Sequence, residues 1–451
     1  PFSFGDHAGA SVSSVGDVNK DGFDDVIVGA PYAYGNSIRY SGESYIVHGK
    51  ADGAPVDLSN LGSIDGIETG DIAGFSVSGG GDVNGDGVMD FIIGAPGAST
   101  GVGDDGQSYV VFGPVNSVDL EDLNYTFGGF NFSRGFSING IDRGDSSGYS
   151  VSVVGDVNGD GLDDLLVGAP NADPGGESYV VFGKSDGASV ELRDIKNGIG
   201  GFGISNSNVG DTQGGDRAGR SVSGAGDVNG DGLHDLIIGA PNASPDGNYI
   251  AGESYVIFGK ADGDQVKLQN IKNGNGGFVI SGSNAQDRAG RSVSGAGDVN
   301  GDGLHDLIIG APFASPGGNM SAGESYVVFG KSDGTEVDLS VVKLGTDAEL
   351  PLGTASVTLS GVTVEVDLSS HFKDGVNDLY DASVTLAAAI NGNLELQALG
   401  YSASLPTNNQ LENGELAPGD IIVSRADSSV VTQSTSLSTP NEAATVTQKV
   451  D

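Results

Sequence analysis

A nine-residue motif rich in Asp and Asn occurs five times in this chain of 451 residues. The copies begin at Asp17, Asp82, Asp156, Asp227 and Asp298. They follow one another at intervals of about 70 residues, and a fixed period of tens of residues indicates a repeat architecture. Any fold proposed for this chain must therefore be built from five similar units.

Each copy of the motif carries side-chain oxygens at positions 1, 3, 5 and 9 and a glycine at position 6. A chain that offers oxygen ligands at alternating positions and then turns on a glycine wraps around a hard cation. Position 7 is apolar, so it would contribute its backbone carbonyl. Three carboxylates, one amide and one carbonyl suit calcium better than zinc, which prefers Cys and His.

We therefore predict Ca²⁺ as the cofactor, about five ions in all with one per repeat. Lys20 stands inside the first loop where the other copies have glycine, and its positive charge predicts that the first site is the weakest. The predicted ligands are Asp17, Asn19, Asp21, Phe23 and Asp25; Asp82, Asn84, Asp86, Val88 and Asp90; Asp156, Asn158, Asp160, Leu162 and Asp164; Asp227, Asn229, Asp231, Leu233 and Asp235; and Asp298, Asn300, Asp302, Leu304 and Asp306.

The motif differs from the EF-hand loop, which requires Glu at position 12 and a helix on either side. Position 12 here is apolar in every copy and lies within a short apolar run that predicts a β-strand. The residues at this position are Val28, Ile93, Val167, Ile238 and Ile309.

The order of segments within a repeat is constant, and the fourth repeat is representative. A small-residue strand at 221–226 leads into the Asp-rich loop, and a buried strand at 236–241 leaves it. An alternating strand follows at 253–259, and a fourth strand at 278–282 precedes the next repeat. Four short strands separated by turn residues are typical of one blade of a β-propeller.

Two further motifs recur in register with the loops. Gly-Ala-Pro ends the second strand in all five copies, and Phe-Gly ends the third strand in four, with His48-Gly49 in the first copy. Together these motifs resemble the FG-GAP repeats of integrin alpha-subunit propellers over residues 1–340. The resemblance implies an all-β propeller whose Asp-rich loops bind calcium on one face. The motifs are Gly29-Ala-Pro31, Gly94-Ala-Pro96, Gly168-Ala-Pro170, Gly239-Ala-Pro241 and Gly310-Ala-Pro312, with Phe112-Gly113, Phe182-Gly183, Phe258-Gly259 and Phe329-Gly330.

The number of blades is open at this point. Integrin propellers close with seven blades, whereas five repeats are visible here. The fifth repeat shows no fourth strand after Leu339, and Phe2-Ser-Phe4-Gly has the pattern of a fourth strand with no blade before it. We predict five four-stranded blades, with the N-terminal strand closing the last one and removing both open edges. The alternative is that blades upstream have been cut off, since the chain opens without Met.

The composition changes after the repeats. Alternating segments at 355–360, 362–368 and 382–387 predict a β-sandwich-like domain over 341–423. Asn391-Gly392 predicts a hairpin between 386–390 and 394–399, with a helix at 382–390 as the alternative. Residues 424–451 are rich in Ser and Thr without a core pattern, which indicates a linker or tail.

Charge and composition exclude several classes of protein. The chain has 20 basic and 61 acidic residues, for a formal net charge of -41, which argues against nucleic acid or anionic lipid as a partner. It contains no Cys, so it has neither disulfides nor a thiol site. No run of 18 apolar residues is present, so we expect no direct membrane insertion. An acidic surface is typical of extracellular or high-salt surroundings.

Catalysis has little support in the sequence. It has no Cys and no phosphate-cradling loop, and its five His residues are scattered. His234 and His305 occupy position 8 of their loops, where we expect them to point away from the ion as exposed polar residues. The chain is therefore predicted not to be an enzyme.

We predict an extracellular or cell-surface module that binds a protein or glycan ligand and acts in adhesion, with calcium fastening each blade. Two alternatives remain: a structural subunit that self-associates into a surface layer, sheath or filament, and a non-catalytic part of a secreted hydrolase. Ligand binding is expected in the loops that vary in length between repeats, since such loops are grafted onto a rigid scaffold. These loops are 32–42, 97–107, 171–177, 242–252 and 313–323.

Overall fold

The computed structural model describes residues 5–99, 105–115, 120–127, 130–206, 215–342, 354–359, 362–367, 401–404 and 422–425. The chain divides into two compact units, Pro1–Lys343 and Leu344–Asp451. The first unit contains the five repeats and is a five-bladed β-propeller. Each repeat forms an antiparallel sheet, so the repeat period of the sequence is the blade period of the fold.

Each of the first two blades contains four strands of its own, and neighbouring strands within a blade are antiparallel. A two-stranded hairpin lies between the third and fourth strands of blade 2. Blade 1 consists of β1 (Ser11–Gly16), β2 (Asp25–Ala30), β3 (Glu43–Val47) and β4 (Ser63–Asp65); blade 2 consists of β5 (Ser76–Gly81), β6 (Asp90–Ala95), β7 (Gln107–Val111), the hairpin β8 (Asn124–Phe127) and β9 (Phe130–Ser133), and β10 (Gly135–Asn139).

The third to fifth blades repeat this order, and each adds a two-residue strand that crosses to the preceding blade. Blade 5 has three strands of its own in the described residues. Blade 3 contains β11 (Ser150–Gly155), β12 (Asp164–Ala169), β13 (Glu177–Val181), β14 (Val190–Glu191) and β15 (Gly201–Ser205); blade 4 contains β16 (Ser221–Gly226), β17 (Asp235–Ala240), β18 (Glu253–Ile257), β19 (Val266–Lys267) and β20 (Gly277–Ser281); blade 5 contains β21 (Ser292–Gly297), β22 (Asp306–Ala311), β23 (Glu324–Val328) and β24 (Val337–Asp338).

The short strands β14, β19 and β24 tie each blade to the one before it. They pair in parallel with β10, β15 and β20, the outermost strands of the preceding blades. The sequence analysis did not predict them, because two residues are too few to show an alternating pattern. The short helices were missed for the same reason: α1 (Leu192–Lys196), α2 (Leu268–Lys272), α3 (Leu339–Val342), and 3-10 turns at Gly35–Ser37, Leu58–Asn60, Leu120–Asp122, Pro245–Gly247 and Pro316–Gly318.

Neighbouring blades pack through the apolar faces of their second and third strands. Leu166 and Val180 of blade 3 lie in one buried cluster with Leu236 and Ile238 of blade 4. Successive side chains of a strand point to opposite faces, so each inner blade buries one set against the blade before it and the other against the blade after it. The near-continuous apolar runs of the second strands follow from this two-sided burial.

The two end blades each leave one face exposed. Val12 on β1 is 62 % exposed, and its counterpart Val222 in blade 4 is buried. Ile308 and Val327 of blade 5 are each 40 % exposed, and their counterparts in the other blades are buried. The strand predicted to close the last blade, Phe2-Ser-Phe4-Gly, lies outside the described residues except for its glycine.

The second unit contains two antiparallel strand pairs in the part that is described. β25 (Thr354–Leu359) pairs with β26 (Val362–Asp367), which confirms the strands predicted at 355–360 and 362–368. β27 (Tyr401–Ser404) pairs with β28 (Ile422–Arg425). The hairpin at Asn391-Gly392, the alternative helix at 382–390 and the tail at 424–451 lie largely or wholly outside the described residues. The sandwich and its boundaries stay predictions.

Candidate calcium loops and the loop face

The five Asp-rich loops lie between the first and second strands of the five blades. They span residues 17–25, 82–90, 156–164, 227–235 and 298–306, and are called the calcium loops below. In blade 4 the strand pairing runs from Ser221 opposite Gly239 to Gly226 opposite Asp235, with a shift just before the loop. Equivalent pairings in the other blades place all five calcium loops at one end of the blades.

Position 1 of each calcium loop organises the backbone that follows it. In the second loop Asp82 Oδ1 accepts hydrogen bonds from the N–H groups of Gly85 (2.8 Å) and Asp86 (3.0 Å). Asp82 Oδ2 accepts from Gly87 N–H at 2.9 Å. One carboxylate thus curls three consecutive residues around itself, which explains the Asp at this position.

Positions 3 and 5 continue the same turn. Asn84 Oδ1 accepts from Asp86 N–H at 2.8 Å, and Asp86 Oδ1 accepts from Val88 N–H at 2.8 Å. The same bonds recur in the third, fourth and fifth loops. The Asx-type bonds gather the oxygens of positions 1, 3 and 5 along one short stretch of backbone.

Position 9 is buried in every loop. Asp25, Asp90, Asp164, Asp235 and Asp306 have no exposed surface. In the fourth loop Asp235 Oδ2 accepts from Val228 N–H at 2.8 Å, and Oδ1 accepts from Gly259 N–H at 2.8 Å. The second of these bonds links the loop to the Phe-Gly pair at the end of the third strand.

The glycine of the Phe-Gly pair has a structural role that the sequence analysis did not recognise. A Cβ at Gly259 would lie 2.7 Å from the carbonyl oxygen of His234, closer than carbon and oxygen approach without bonding. Gly259 therefore allows the third strand to reach the buried carboxylate of Asp235. The signal in the sequence was that Phe-Gly recurs in register with position 9 of each loop.

Burial disfavours the charged form of three position-9 carboxylates. It raises the pKa of Asp90 to about 7, with smaller contributions from the charges of Asp86 and Asp82. The pKa values of Asp164 and Asp235 are raised to about 7 for the same reasons. A bound cation would oppose both the loss of hydration and the repulsion between the loop carboxylates.

The oxygen donors fit calcium, although position 9 is directed mainly at backbone N–H groups. Within the described ranges, no three His, Cys, Asp or Glu side chains already form a set of metal ligands. A carboxylate oxygen that accepts one N–H keeps a second lone pair for a cation. Positions 1, 3, 5 and 7 would therefore hold the ion, with position 9 joining through its remaining lone pairs. A cation bound there would neutralise the loop carboxylates and link the strands that carry them.

The first loop departs from the other four. Lys20 adopts a φ of 62°, and glycine occupies the same left-handed conformation at position 4 of the other loops. His48 stands where the other repeats have the Phe of Phe-Gly, and its Nδ1 lies 3.3 Å from Asp25 Oδ2. Two basic side chains thus lie in or beside the loop that the sequence predicted to be the weakest site.

Positions 7 and 8 connect the second to fifth calcium loops to the preceding blade. A Cβ placed on Gly85 of blade 2 would lie 2.8 Å from Leu162 Cδ2, so the position-7 side chain packs directly against this glycine. His305 Nδ1 accepts a hydrogen bond from Asp227 N–H at 3.1 Å, and His234 Nδ1 lies 3.3 Å from the carbonyl oxygen of Val154. His234 is exposed, as predicted, and His305 is half-buried. The sequence analysis did not predict the contact of each histidine with the preceding blade, because that contact depends on how adjacent blades pack.

The variable loops lie at the opposite end of the blades from the calcium loops, because the second strand runs back from its calcium loop. This end is called the loop face below. Variable loops contact the segment that leads into their own blade: Asn242 N–H donates to Asp216 O at 3.1 Å in blade 4, and Phe313 N–H donates to Asp287 O at 3.4 Å in blade 5. Residues 100–104 of the loop 97–107 lie outside the described residues.

The repeats match the family model described as "FG-GAP repeat" at residues 8–47, 73–111, 147–181, 218–257 and 289–328. Each matched segment runs from the lead-in of a blade through its calcium loop to the third strand. This chain is an FG-GAP repeat protein. Its FG-GAP propeller resembles that of the integrin alpha subunits, as the motifs predicted.

The similar proteins include integrin alpha subunits and a phospholipase. Integrin alpha pat-2 of Caenorhabditis elegans is 31% identical over 202 residues, covering 42% of this chain and 14% of the relative. Integrin alpha-5 of Xenopus laevis is 30% identical over 247 residues, covering 53% and 20%. Phosphatidylinositol-glycan-specific phospholipase D of Mus musculus is 33% identical over 181 residues, covering 38% and 19%. The chain thus spans a fifth or less of the length of these relatives.

Among the described residues, no helix is long and apolar enough to cross a membrane.

Proposed function

We propose that this FG-GAP protein is an extracellular, calcium-stabilised propeller that binds a protein or glycan ligand on its loop face and catalyses no reaction. The observation that carries the calcium assignment is the fully buried Asp at position 9 of every loop. In the second to fifth loops it lies among further carboxylates, and no basic side chain lies within 4.0 Å of it in the described residues.

Calcium would act on folding more than on ligand contact. Each calcium loop joins the first, second and third strands of its blade, and the second to fifth loops also contact the preceding blade. A cation that binds only the folded loop stabilises the native state by mass action. The ions would therefore hold the scaffold rigid while the opposite end remains free for a ligand.

The loop face supports the ligand-binding part of the proposal. The loops there differ in length and sequence, while the strands that carry them are nearly identical. They expose aromatic side chains, including Tyr249 at 51 % and Phe313 at 43 %. Exposed aromatic residues on a rigid scaffold are typical anchors of protein interfaces. The likeness to integrin alpha subunits supports an extracellular location and a receptor-like role.

Binding to a glycan array and to an array of immobilised extracellular proteins tests this proposal, with calcium present throughout. We expect at least one specific ligand, whose binding falls tenfold or more in Tyr249→Ser or Phe313→Ser. Phe329→Ser is the matched control, because Phe329 is 55 % exposed but belongs to the end face of blade 5. Loss of binding in the control alone, or no ligand on either array, would reject the loop face as the binding site.

The phospholipase relative supports a second candidate, in which the propeller is a non-catalytic part of a secreted hydrolase. The exposed end faces of blades 1 and 5 support the third, a self-associating structural subunit. Hydrolysis of a phosphatidylinositol-glycan substrate by the purified chain would contradict the non-catalytic assignment. Concentration-dependent filaments seen by electron microscopy would favour the structural subunit over the binding module.

A further inference from the structure

Four arginines lie together on the loop face of a chain whose net charge is -41. They belong to two copies of the lead-in sequence Asp-Arg-Ala-Gly-Arg, at 216–220 and 287–291. In the described residues no carboxylate lies within 4.0 Å of any of these guanidinium groups. We call them the arginine cluster: Arg217, Arg220, Arg288 and Arg291.

Two of these arginines continue a row of aromatic rings. Phe75, Tyr149, Arg220 and Arg291 each directly precede the first strand of their blade, from blade 2 to blade 5. The rings of Phe75 and Tyr149 are 4.8 Å apart, and Arg220 Cζ lies 4.2 Å from the centre of the Tyr149 ring. Since the first strands of successive blades pack side by side, these four side chains form an arc at the loop-face end of those strands.

The cluster extends from this arc towards a variable loop. Arg288 Cζ lies 5.1 Å from the centre of the Phe313 ring, and Phe313 belongs to the loop 313–323. Arg288, Arg291 and Arg220 are half-buried, while Arg217 is exposed. Guanidinium groups held against ring faces keep their N–H donors in fixed directions.

The like charges in the cluster oppose one another. Burial, with smaller contributions from the nearby charges of Arg291 and Arg288, lowers the pKa of Arg220 to about 10. The group stays protonated at neutral pH, so the repulsion persists there. Among the described residues these cations have no carboxylate partner within 4.0 Å, so their crowding is unfavourable in the free protein, and a bound anion would relieve it.

We propose that the arginine cluster and the Phe75–Tyr149 rings bind an acidic glycan, a sugar chain that carries carboxylate or sulfate groups. This deepens the proposed function, on which it rests, by naming the ligand class of the loop face. Guanidinium groups bind such anions through paired N–H donors, and aromatic rings offer a flat apolar surface to a sugar ring.

The overall negative charge does not prevent this binding. At an ionic strength of 0.15 M the screening length is about 8 Å, so acidic residues beyond that distance contribute little at the cluster. Nucleic acid fits less well, because its dense phosphate charge meets the whole acidic surface as it approaches. A less densely charged acidic glycan that stacks on the rings suits the arrangement better.

Calorimetric titration of the calcium-loaded chain tests the assignment with four probes: hyaluronate, chondroitin sulfate, neutral dextran and poly-L-glutamate. We expect hyaluronate or chondroitin sulfate to bind, and neutral dextran and poly-L-glutamate not to bind. Arg220→Gln combined with Arg291→Gln should weaken glycan binding at least tenfold. Arg193→Gln is the matched control, an exposed arginine on α1 outside the cluster. Melting curves establish that each variant is folded.

The outcomes separate this inference from the proposed function. Equal binding of poly-L-glutamate with the same arginine dependence would overturn the glycan assignment in favour of an acidic protein. Glycan binding that survives the double substitution would show that the anion binds elsewhere, for example through calcium bridges on the acidic surface. A neutral ligand lost in Tyr249→Ser would retain the loop face as a binding site and reject the acidic glycan. No ligand of any kind would reject both.

Discussion

The backbone of Asp227 and the side chain of His305 are joined across the boundary between blades 4 and 5. Asp227 N–H donates to His305 Nδ1 at 3.1 Å, and Asp227 O accepts from His305 N–H at 2.9 Å. Asp227 is position 1 of one calcium loop, and His305 is position 8 of the next. The order of one loop is therefore coupled to the packing of its neighbour, and a similar contact joins Asp82 to Asp163.

His305→Ala should destabilise the propeller by about 1–3 kcal/mol, because Asp227 N–H loses its acceptor at a partly buried position. Thermal unfolding at saturating calcium measures the change. His7→Ala is the control, since His7 is an exposed residue outside the calcium loops. Equal melting temperatures for the two variants would mean that the contact between the loops does not contribute to stability.

Gly155→Ala should be more harmful than Gly297→Ala. Both glycines end a first strand with positive φ, 78° and 68°. A Cβ at Gly155 would lie 1.6 Å from His234 Nδ1, whereas nothing lies within 4 Å of one at Gly297. The backbone strain is therefore similar in the two variants. The additional loss in the free energy of unfolding of Gly155→Ala, about 1–3 kcal/mol, measures the collision with His234.

The collision can be relieved by removing the imidazole. Gly155→Ala combined with His234→Ala should recover most of the additional loss, and the double-mutant cycle gives the coupling energy. Additive effects of the two substitutions would show that His234 does not pack against Gly155.

Lys20→Gly should strengthen the first calcium site and stabilise the metal-free protein slightly. Removing a side chain from the left-handed conformation relieves about 1–2 kcal/mol of strain, part of which the greater freedom of glycine in the unfolded chain offsets. Loss of the positive charge favours the cation. Calcium titration calorimetry should show one site with increased affinity.

The reverse change provides the control for Lys20. Gly230→Lys introduces the same residue at position 4 of the fourth loop, where glycine has a φ of 79°. It should weaken one site and lower the melting temperature. If neither substitution alters any calcium affinity, position 4 does not set the strength of a site.

Asp235→Asn should destabilise the fourth blade by about 1–3 kcal/mol, because an amide NH₂ would then face the N–H of Val228 or Gly259. It should also lower the number of calcium ions bound at a fixed calcium concentration. Asp246→Asn, at an exposed position of the loop face, is the matched substitution. Equally small effects of Asp235→Asn and Asp246→Asn on stability and on the number of calcium ions bound would show that the buried carboxylate has no special role.

The repeat architecture and the composition of each calcium loop were predictable because they depend on residues close together in sequence. The spacing of Asp82, Asn84 and Asp86 is sufficient to predict a turn rich in oxygen. The apolar run after Asp235 is sufficient to predict a buried strand. The family resemblance rested on the register between these motifs, which is also local within a repeat.

The contacts between repeats could not be predicted in this way. The bond from Gly259 N–H to Asp235 spans 24 residues, and the contact of His305 with Asp227 spans 78. Both require the packing of strands and blades to be known. The pairing of β14 with β10 depends on where two blades meet, and no pattern in two residues indicates it.

The most direct test of the calcium assignment is the melting temperature of the chain in calcium and in excess EGTA with magnesium present. At a calcium concentration of 100 times Kd, each site stabilises the folded state by about 2.7 kcal/mol, so several sites together should raise the melting temperature by more than about 10 °C. Equal melting temperatures in calcium and in EGTA would contradict the assignment of the five Asp-rich loops as calcium sites.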